Sequence, residues 1–140
     1  MATLSNPTLE IDILTGTTNY VVTAKVRVDF TPEELSLINP TSGRPALPVQ
    51  LKSRLWGSDI GEPTLGGNDL LLTFPTRNIT RSATYTFSRT VSGTVLNEDV
   101  GRVPQRDEIY NQFSLVSAVP GFIDRSRNSP IIRGYYGPLE

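Results

Sequence analysis

Between residues 19 and 30 every second residue is apolar, and this pattern constrains the fold more than any other feature of the chain. Val22, Ala24, Val26, Val28 and Phe30 alternate with Thr23, Lys25, Arg27 and Asp29. A period of two places successive side chains on opposite faces of an extended backbone. The segment is therefore predicted to be a β-strand with one face against a core and the other in water.

Further strands are predicted from the same kind of pattern. Alternating or short apolar segments occupy residues 8–14, 49–56, 69–74, 83–91 and 108–118, and residues 130–136 are expected to form an edge strand beginning at a proline. Glycine and proline number 11 each and fall mostly between these segments, as turns require. Residues 75–82 are expected to be a polar loop.

These segments predict an all-β fold. No helical crossover separates the strands, so neighbouring strands are expected to pair antiparallel. Seven or eight strands of this length favour a single-domain β-sandwich over residues 1–140, with a β-barrel as the alternative. Residues 119–140 are expected to be an extended C-terminal tail or an edge strand. The helix-start signature at Thr31-Pro32-Glu33-Glu34 leaves a short helix and a short strand as alternatives for the residues that follow.

The absence of two residue types excludes several kinds of catalysis. The chain contains no His and no Cys, so imidazole bases, thiol nucleophiles, disulfides and the usual zinc sites are all excluded. A formal net charge of -1 gives no reason to expect a nucleic-acid partner. No apolar segment suggests a transmembrane span and the start does not resemble a signal peptide. We therefore expect a cytoplasmic location for the chain as written, while secretion by another route stays open.

Two acidic segments are candidates for a metal site. The five candidate ligands are Asp59, Asp69, Asp99, Asp107 and Glu108. Carboxylate oxygens suit Ca²⁺, so two such loops meeting at one end of a sandwich would form a calcium site. This plan resembles that of C2-type sandwiches, which bind Ca²⁺ between loops at one end; the resemblance is architectural and assigns no residue. The alternative is that these acids lie in solvated turns and offset nearby arginines. No cofactor is required.

Aromatic and arginine side chains mark two candidate interaction sites. Trp56 ends a predicted strand on the face opposite Leu51 and Leu55, where it could stack on a carbohydrate or anchor a partner. Arg133, Tyr135 and Tyr136 lie in the tail, which could add a strand to a neighbouring subunit. The alternatives are a Trp covered by a loop and a tail packed on its own domain.

The sequence favours a non-catalytic binding or interaction module, with a protein partner or self-association expected. The alternative is a structural subunit of a homo-oligomer or particle assembled through the tail. A third hypothesis is a small carboxylate-dependent hydrolase, for which Asp99 with Glu108, or Asp59 with Asp69, would be the acid pair.

Overall fold

The fold is a two-sheet antiparallel β-sandwich that is not closed into a barrel, as the sequence pattern predicts. The computed structural model describes residues 2–40, 49–57, 69–96, 107–117 and 124–134. In chain order their elements are β1 (Thr3–Ile13), β2 (Asn19–Asp29), α1 (Pro32–Ile38), β3 (Val49–Gly57), β4 (Asp69–Thr73), β5 (Arg77–Ile79), β6 (Ala83–Ser92), α2 (Gly93–Leu96), β7 (Asp107–Val116), β8 (Arg125–Asn128) and β9 (Ile132–Gly134).

The smaller sheet has three strands in the order β1-β2-β6. The larger has six, with β4-β3-β7-β8 as its main path, β5 paired with β3 and β9 paired with β7. Every pairing is antiparallel. The described residues therefore contain nine strands, more than the seven or eight predicted, because β5 lies inside a segment predicted to be loop and β8 precedes the edge strand predicted in the tail.

The first strand starts earlier than the sequence pattern predicts. Strand β1 begins at Thr3 rather than at residue 8, and its pairing with β2 shifts between Ser5 and Thr8. Asn6, within this β-bulge, has a φ of 49°, a left-handed conformation that asparagine adopts more readily than most residues. The bulge restores the alternation, so that both Leu4 and Leu9 face the core.

The segment after β2 is helical. Thr31 caps α1 by accepting a hydrogen bond from the backbone N–H of Glu34, and the Glu34 carboxylate accepts one from the backbone N–H of Thr31. This reciprocal pair is a capping box. The other carboxylate oxygen of Glu34 accepts a hydrogen bond from the Ala2 backbone N–H at 2.9 Å, which ties the start of the chain to the helix.

The core lies between the two sheets and consists of the alternating residues that the sequence predicts. Val22, Val26 and Val28 are fully buried, and Phe30 is 8% exposed. Three phenylalanines link the layers: the ring centroid of Phe87 lies 5.7 Å from that of Phe74 and 6.3 Å from that of Phe113. These distances are typical of favourable tilted aromatic pairs.

Two arginines of the larger sheet reach edge strands of the smaller one. Arg77 donates a hydrogen bond to the carbonyl oxygen of Thr86 in β6, and Arg127 donates one to that of Leu4 in β1, both at 2.9 Å. The Arg77 guanidinium also lies 5.5 Å from the ring centroid of Tyr85. Each of the two open sides of the sandwich is thus bridged by one arginine.

In the part of the chain that the structure describes, no helix is both long enough and apolar enough to cross a bilayer.

Candidate functional site

Residues that flank both acidic segments of the sequence lie at one end of the larger sheet. Gly57, the last residue of β3, pairs with Asp69 at the start of β4 and with Ile109 near the start of β7. Asp107, the first residue of β7, pairs with Gly134 at the end of β9. Gly57, Asp69 and Asp107 therefore lie at the same end of this sheet, which we call the loop end.

The predicted calcium ligands are only partly described. Asp59 and Asp99 lie outside the described residues, so the meeting of the two loops stays a prediction. Asp69 is exposed, and Glu108 is half-buried and paired with Arg133 at 3.4 Å. Asp107 occupies the first position of β7. Within the described ranges, no three acidic side chains are grouped closely enough to hold a metal ion.

Three large side chains form a row across the outer face of the sheet at the loop end. Trp56 in β3 pairs with Leu70 in β4 on one side and with Tyr110 in β7 on the other. Adjacent strands are about 4.8 Å apart, so the row extends over about 10 Å. Leu70 is 49% exposed, and Trp56 and Tyr110 are half-buried. We call Leu70, Trp56 and Tyr110 the aromatic strip.

The indole of Trp56 is held in place by a neighbouring strand. Its Nε1–H donates a hydrogen bond to Oε1 of Gln112 at 3.1 Å, diagonally across β3 and β7. Because this bond satisfies the one polar atom of the indole, the ring can present an apolar face without an unpaired donor. The prediction that Trp56 lies opposite Leu51 and Leu55 agrees with the structure, in which both leucines are fully buried.

Charges of both signs surround the aromatic strip. Arg54 is exposed in β3, two residues before Trp56, and Arg133 and Glu108 form an ion pair on β9 and β7. Their side chains are 54% and 23% exposed, so the pair lies at the surface and contributes little to stability. Of the predicted tail residues, Arg133 is therefore beside the strip, whereas Tyr135 and Tyr136 lie outside the described residues.

Two groups with displaced pKa values lie away from the loop end. Burial raises the pKa of Glu34, but hydrogen bonds from the backbones of Thr31 and Ala2 outweigh it, and the net pKa lies below the usual value. A side-chain hydrogen bond to Asp29 raises the pKa of Arg27. Both shifts come from local hydrogen bonds and not from contacts at the loop end.

Of the residues in and around the aromatic strip, the sequence pattern singles out Trp56 and Arg133 but not Leu70, Tyr110 or Gln112. Alternation in residues 108–118 puts Tyr110 and Gln112 on the face opposite Ile109 and Phe113, which was the available signal. The pairing of β3 with both β4 and β7 was not readable from sequence. A one-residue bulge at Leu71 of β4, which brings Leu70 opposite Trp56, was not readable from sequence either.

Comparison with known proteins gives no family and no activity. No family model matches the chain. No curated protein matches it either. Among solved structures, one match is a crystal structure from Bordetella pertussis provisionally assigned as an ApaA protein, with 14% identity, a TM-score of 0.40, and coverage of 99% of this chain and 96% of that one. Another is an X-ray structure of a structural genomics target, with 13% identity, a TM-score of 0.36, and coverage of 99% and 92%.

Proposed function

We propose that this chain is a non-catalytic interaction module that associates with a second copy of itself through the aromatic strip. The observation that carries the proposal is the row of Leu70, Trp56 and Tyr110 on the outer face of a sheet. A soluble sheet face normally carries polar side chains, so three adjacent large apolar groups call for a covering surface.

The composition of the strip and its surroundings is that of a protein interface. Aromatic and arginine side chains are enriched where proteins bind each other, and tryptophan, tyrosine and arginine dominate the binding energy. Here a Trp and a Tyr lie at the centre, with Arg54 and Arg133 at the margin. The hydrogen bond from Trp56 to Gln112 reduces the conformational entropy that the indole would lose on binding.

The charge distribution favours a second copy as the partner. The formal net charge is -1, so two copies repel each other little. The margin holds Arg54, Arg133 and Glu108, and in a two-fold contact a residue away from the axis meets a different residue of the other copy. Opposite charges can therefore face each other around an apolar centre. Self-association of this kind is also compatible with the alternative hypothesis, in which the chain is a structural subunit of a homo-oligomer.

Sedimentation velocity over a range of protein concentrations tests the proposal. We expect the weight-average mass to rise toward twice the monomer mass between about 1 μM and 1 mM, the range in which small interfaces associate. The variant Leu70→Asp places a charge inside the contact, at one end of the aromatic strip, and we expect it to weaken dimerisation by about 30-fold or more.

The matched control is Leu37→Asp, because Leu37 is 52% exposed on α1, which contributes no residue to the aromatic strip. It should leave dimerisation unchanged. A wild-type protein that stays monomeric at about 1 mM, or a dimer equally stable in both variants, contradicts the proposal.

A saccharide is the other ligand that the aromatic strip could bind, because Trp56 and Tyr110 on adjacent strands offer stacking faces flanked by amide groups. Affinity electrophoresis through gels containing soluble polysaccharides distinguishes this case. If the protein sediments as a monomer and its retardation is lost in Trp56→Ala, the partner of the aromatic strip is a carbohydrate and not a second copy.

For the same module, calcium binding by the two acidic loops stays a prediction. It is supported by the shared position of Asp69 and Asp107 at the loop end. A ligand that binds only the folded state raises the melting temperature once its concentration exceeds its Kd. If millimolar Ca²⁺ raises the Tm no more than the same concentration of Mg²⁺ does, the prediction of a calcium site is wrong.

A further inference from the structure

At the end of the smaller sheet opposite to α1, the inner face continues past the covered core. Ile13, Tyr20 and Val91 lie in register across β1, β2 and β6. Val91 is 8% exposed, Tyr20 is half-buried and Ile13 is 58% exposed, so burial is lost progressively along this row. Leu14, next in the chain, is 44% exposed. An apolar floor is thus left open at the β1–β2 turn.

A pocket of about 390 Å³ lies over this floor. It is lined by Ile13 and Tyr20, by Thr17 and Thr18 of the turn, and by Ser92, Gly93 and Thr94. Its volume falls within the range typical of sites for small molecules, about 300–1,000 Å³.

Backbone hydrogen bonds hold the walls of the pocket together. The Gly93 N–H donates to the carbonyl oxygen of Thr18 at 3.0 Å, which joins the turn to the start of α2. Within the turn, the Leu14 N–H donates to the carbonyl oxygen of Asn19 at 2.9 Å. The pocket is therefore built from connected segments and does not depend on a single loop.

We propose that this pocket binds a small, electrically neutral molecule with an apolar body and a single polar edge. None of the seven described residues that line the pocket carries a charge, so an ionised ligand would lose hydration without gaining a partner among them. Ile13 and the Tyr20 ring contact the apolar body. The proposal is independent of the aromatic strip and concerns a different sheet.

The polar edge of the ligand meets hydroxyl groups at the rim. The Thr17 hydroxyl is engaged within the turn, donating to the Leu14 carbonyl and accepting from the Asn19 N–H. Ser92 Oγ and Thr94 Oγ1 lie 2.7 Å apart and share one hydrogen bond. Since a hydroxyl pair has two protons and this bond uses one, the other proton can be donated to a ligand hydroxyl.

Titration of the full chain with three six-membered-ring compounds tests the proposal by ¹H–¹⁵N correlation spectroscopy. Cyclohexanol has an apolar body and one hydroxyl, cyclohexanecarboxylate replaces the hydroxyl with a charge, and inositol has a hydroxyl on every carbon. We expect cyclohexanol to shift the amide signals of Thr18, Ser92 and Gly93 saturably, with a Kd of about 1–10 mM. The other two should bind at least 10-fold more weakly.

Two variants and one internal signal separate this site from other binding. Ile13→Asp should reduce the cyclohexanol affinity at least 10-fold, whereas Leu37→Asp, with a similarly exposed leucine, should not. The indole N–H signal of Trp56, which is unique because the chain has one Trp, should not move.

Three results would overturn the proposal. One is the absence of saturable shifts at about 50 mM cyclohexanol, well above the Kd expected for so small a ligand. Another is an equal response to cyclohexanecarboxylate. The third is a set of shifts that survives Ile13→Asp.

Discussion

The side-chain amide of Asn111 donates a hydrogen bond to the hydroxyl of Ser53 at 2.8 Å, and both residues are fully buried on the inner face of the larger sheet. The Asn111 backbone N–H also donates to the hydroxyl of Ser129, which is 5% exposed, at 2.9 Å. Asn111 Oδ1 has no hydrogen-bond partner among the described residues. Small polar side chains thus occupy positions where strand alternation predicts apolar ones, and their hydrogen bonds link β3 and β7 to the residue that follows β8.

Ser53→Ala is expected to destabilise the protein by about 1–3 kcal/mol. The substitution removes the acceptor of the Asn111 amide and leaves a buried donor without a partner, which costs more than an exposed hydrogen bond contributes. Urea denaturation measures the change in the free energy of unfolding. The same substitution at exposed Ser88 on β6 should change it by less than about 0.5 kcal/mol. Equal effects at the two positions would show that the buried bond is not important.

The contribution of Glu34 to stability is expected to depend on pH. Hydrogen bonds from Thr31 and Ala2, opposed by burial, hold the pKa of Glu34 below its unfolded value. The stabilisation is therefore fully present above the unfolded pKa, about 4.3, and is lost as the pH falls through the lower folded pKa. The difference in unfolding free energy between wild type and Glu34→Gln should shrink between pH 5 and pH 3, measured by urea denaturation.

The control for Glu34 is Glu33→Gln, an exposed neighbour in the first turn of the same helix. The pH dependence of its difference from wild type should be smaller. A Glu34→Gln difference that is constant or grows with acidification contradicts the sign derived above.

The two bridging arginines should protect different edge strands. Arg77→Ala removes the hydrogen bond to Thr86, so hydrogen exchange should accelerate in β6, and Arg127→Ala should accelerate it in β1. A loss of about 1 kcal/mol corresponds to about fivefold faster exchange from local opening. Because an uncovered edge strand is a site for pairing with other chains, Arg77→Ala should also aggregate more readily. If hydrogen exchange increases equally in both strands for both variants, neither arginine protects one edge strand specifically.

The two-sheet architecture was predictable from sequence because one face of each long strand is buried. Alternation in β2 and β3 identified Val22, Val26, Leu51 and Leu55, all of which are fully buried. Strand β5, by contrast, has three residues and one buried side chain, too short for a periodic signal. The start of β1 was missed because the bulge at Asn6 interrupts the period of two.

The candidate site was less predictable than the fold. Trp56 was identified because a large aromatic residue at a polar position is conspicuous in one strand. Its neighbours Leu70 and Tyr110 are 14 and 54 positions further along the chain, and only the pairing of β3 with β4 and β7 brings them together. The register of distant strands is decided by tertiary packing, which local patterns do not contain. The pocket beside Ile13 was not predicted, because the sequence does not show that the inner face of the smaller sheet continues past the covered core.

The fluorescence of Trp56 tests the self-association through the aromatic strip most directly, because it is the single Trp of the chain and lies at the centre of the strip. The emission maximum and acrylamide quenching should be measured from about 1 μM to 1 mM protein, the range over which association is expected. A shift to shorter wavelength and weaker quenching at high concentration, both abolished by Leu70→Asp, is the predicted result. Emission and quenching that do not change while the protein dimerises would place the contact elsewhere and contradict the account.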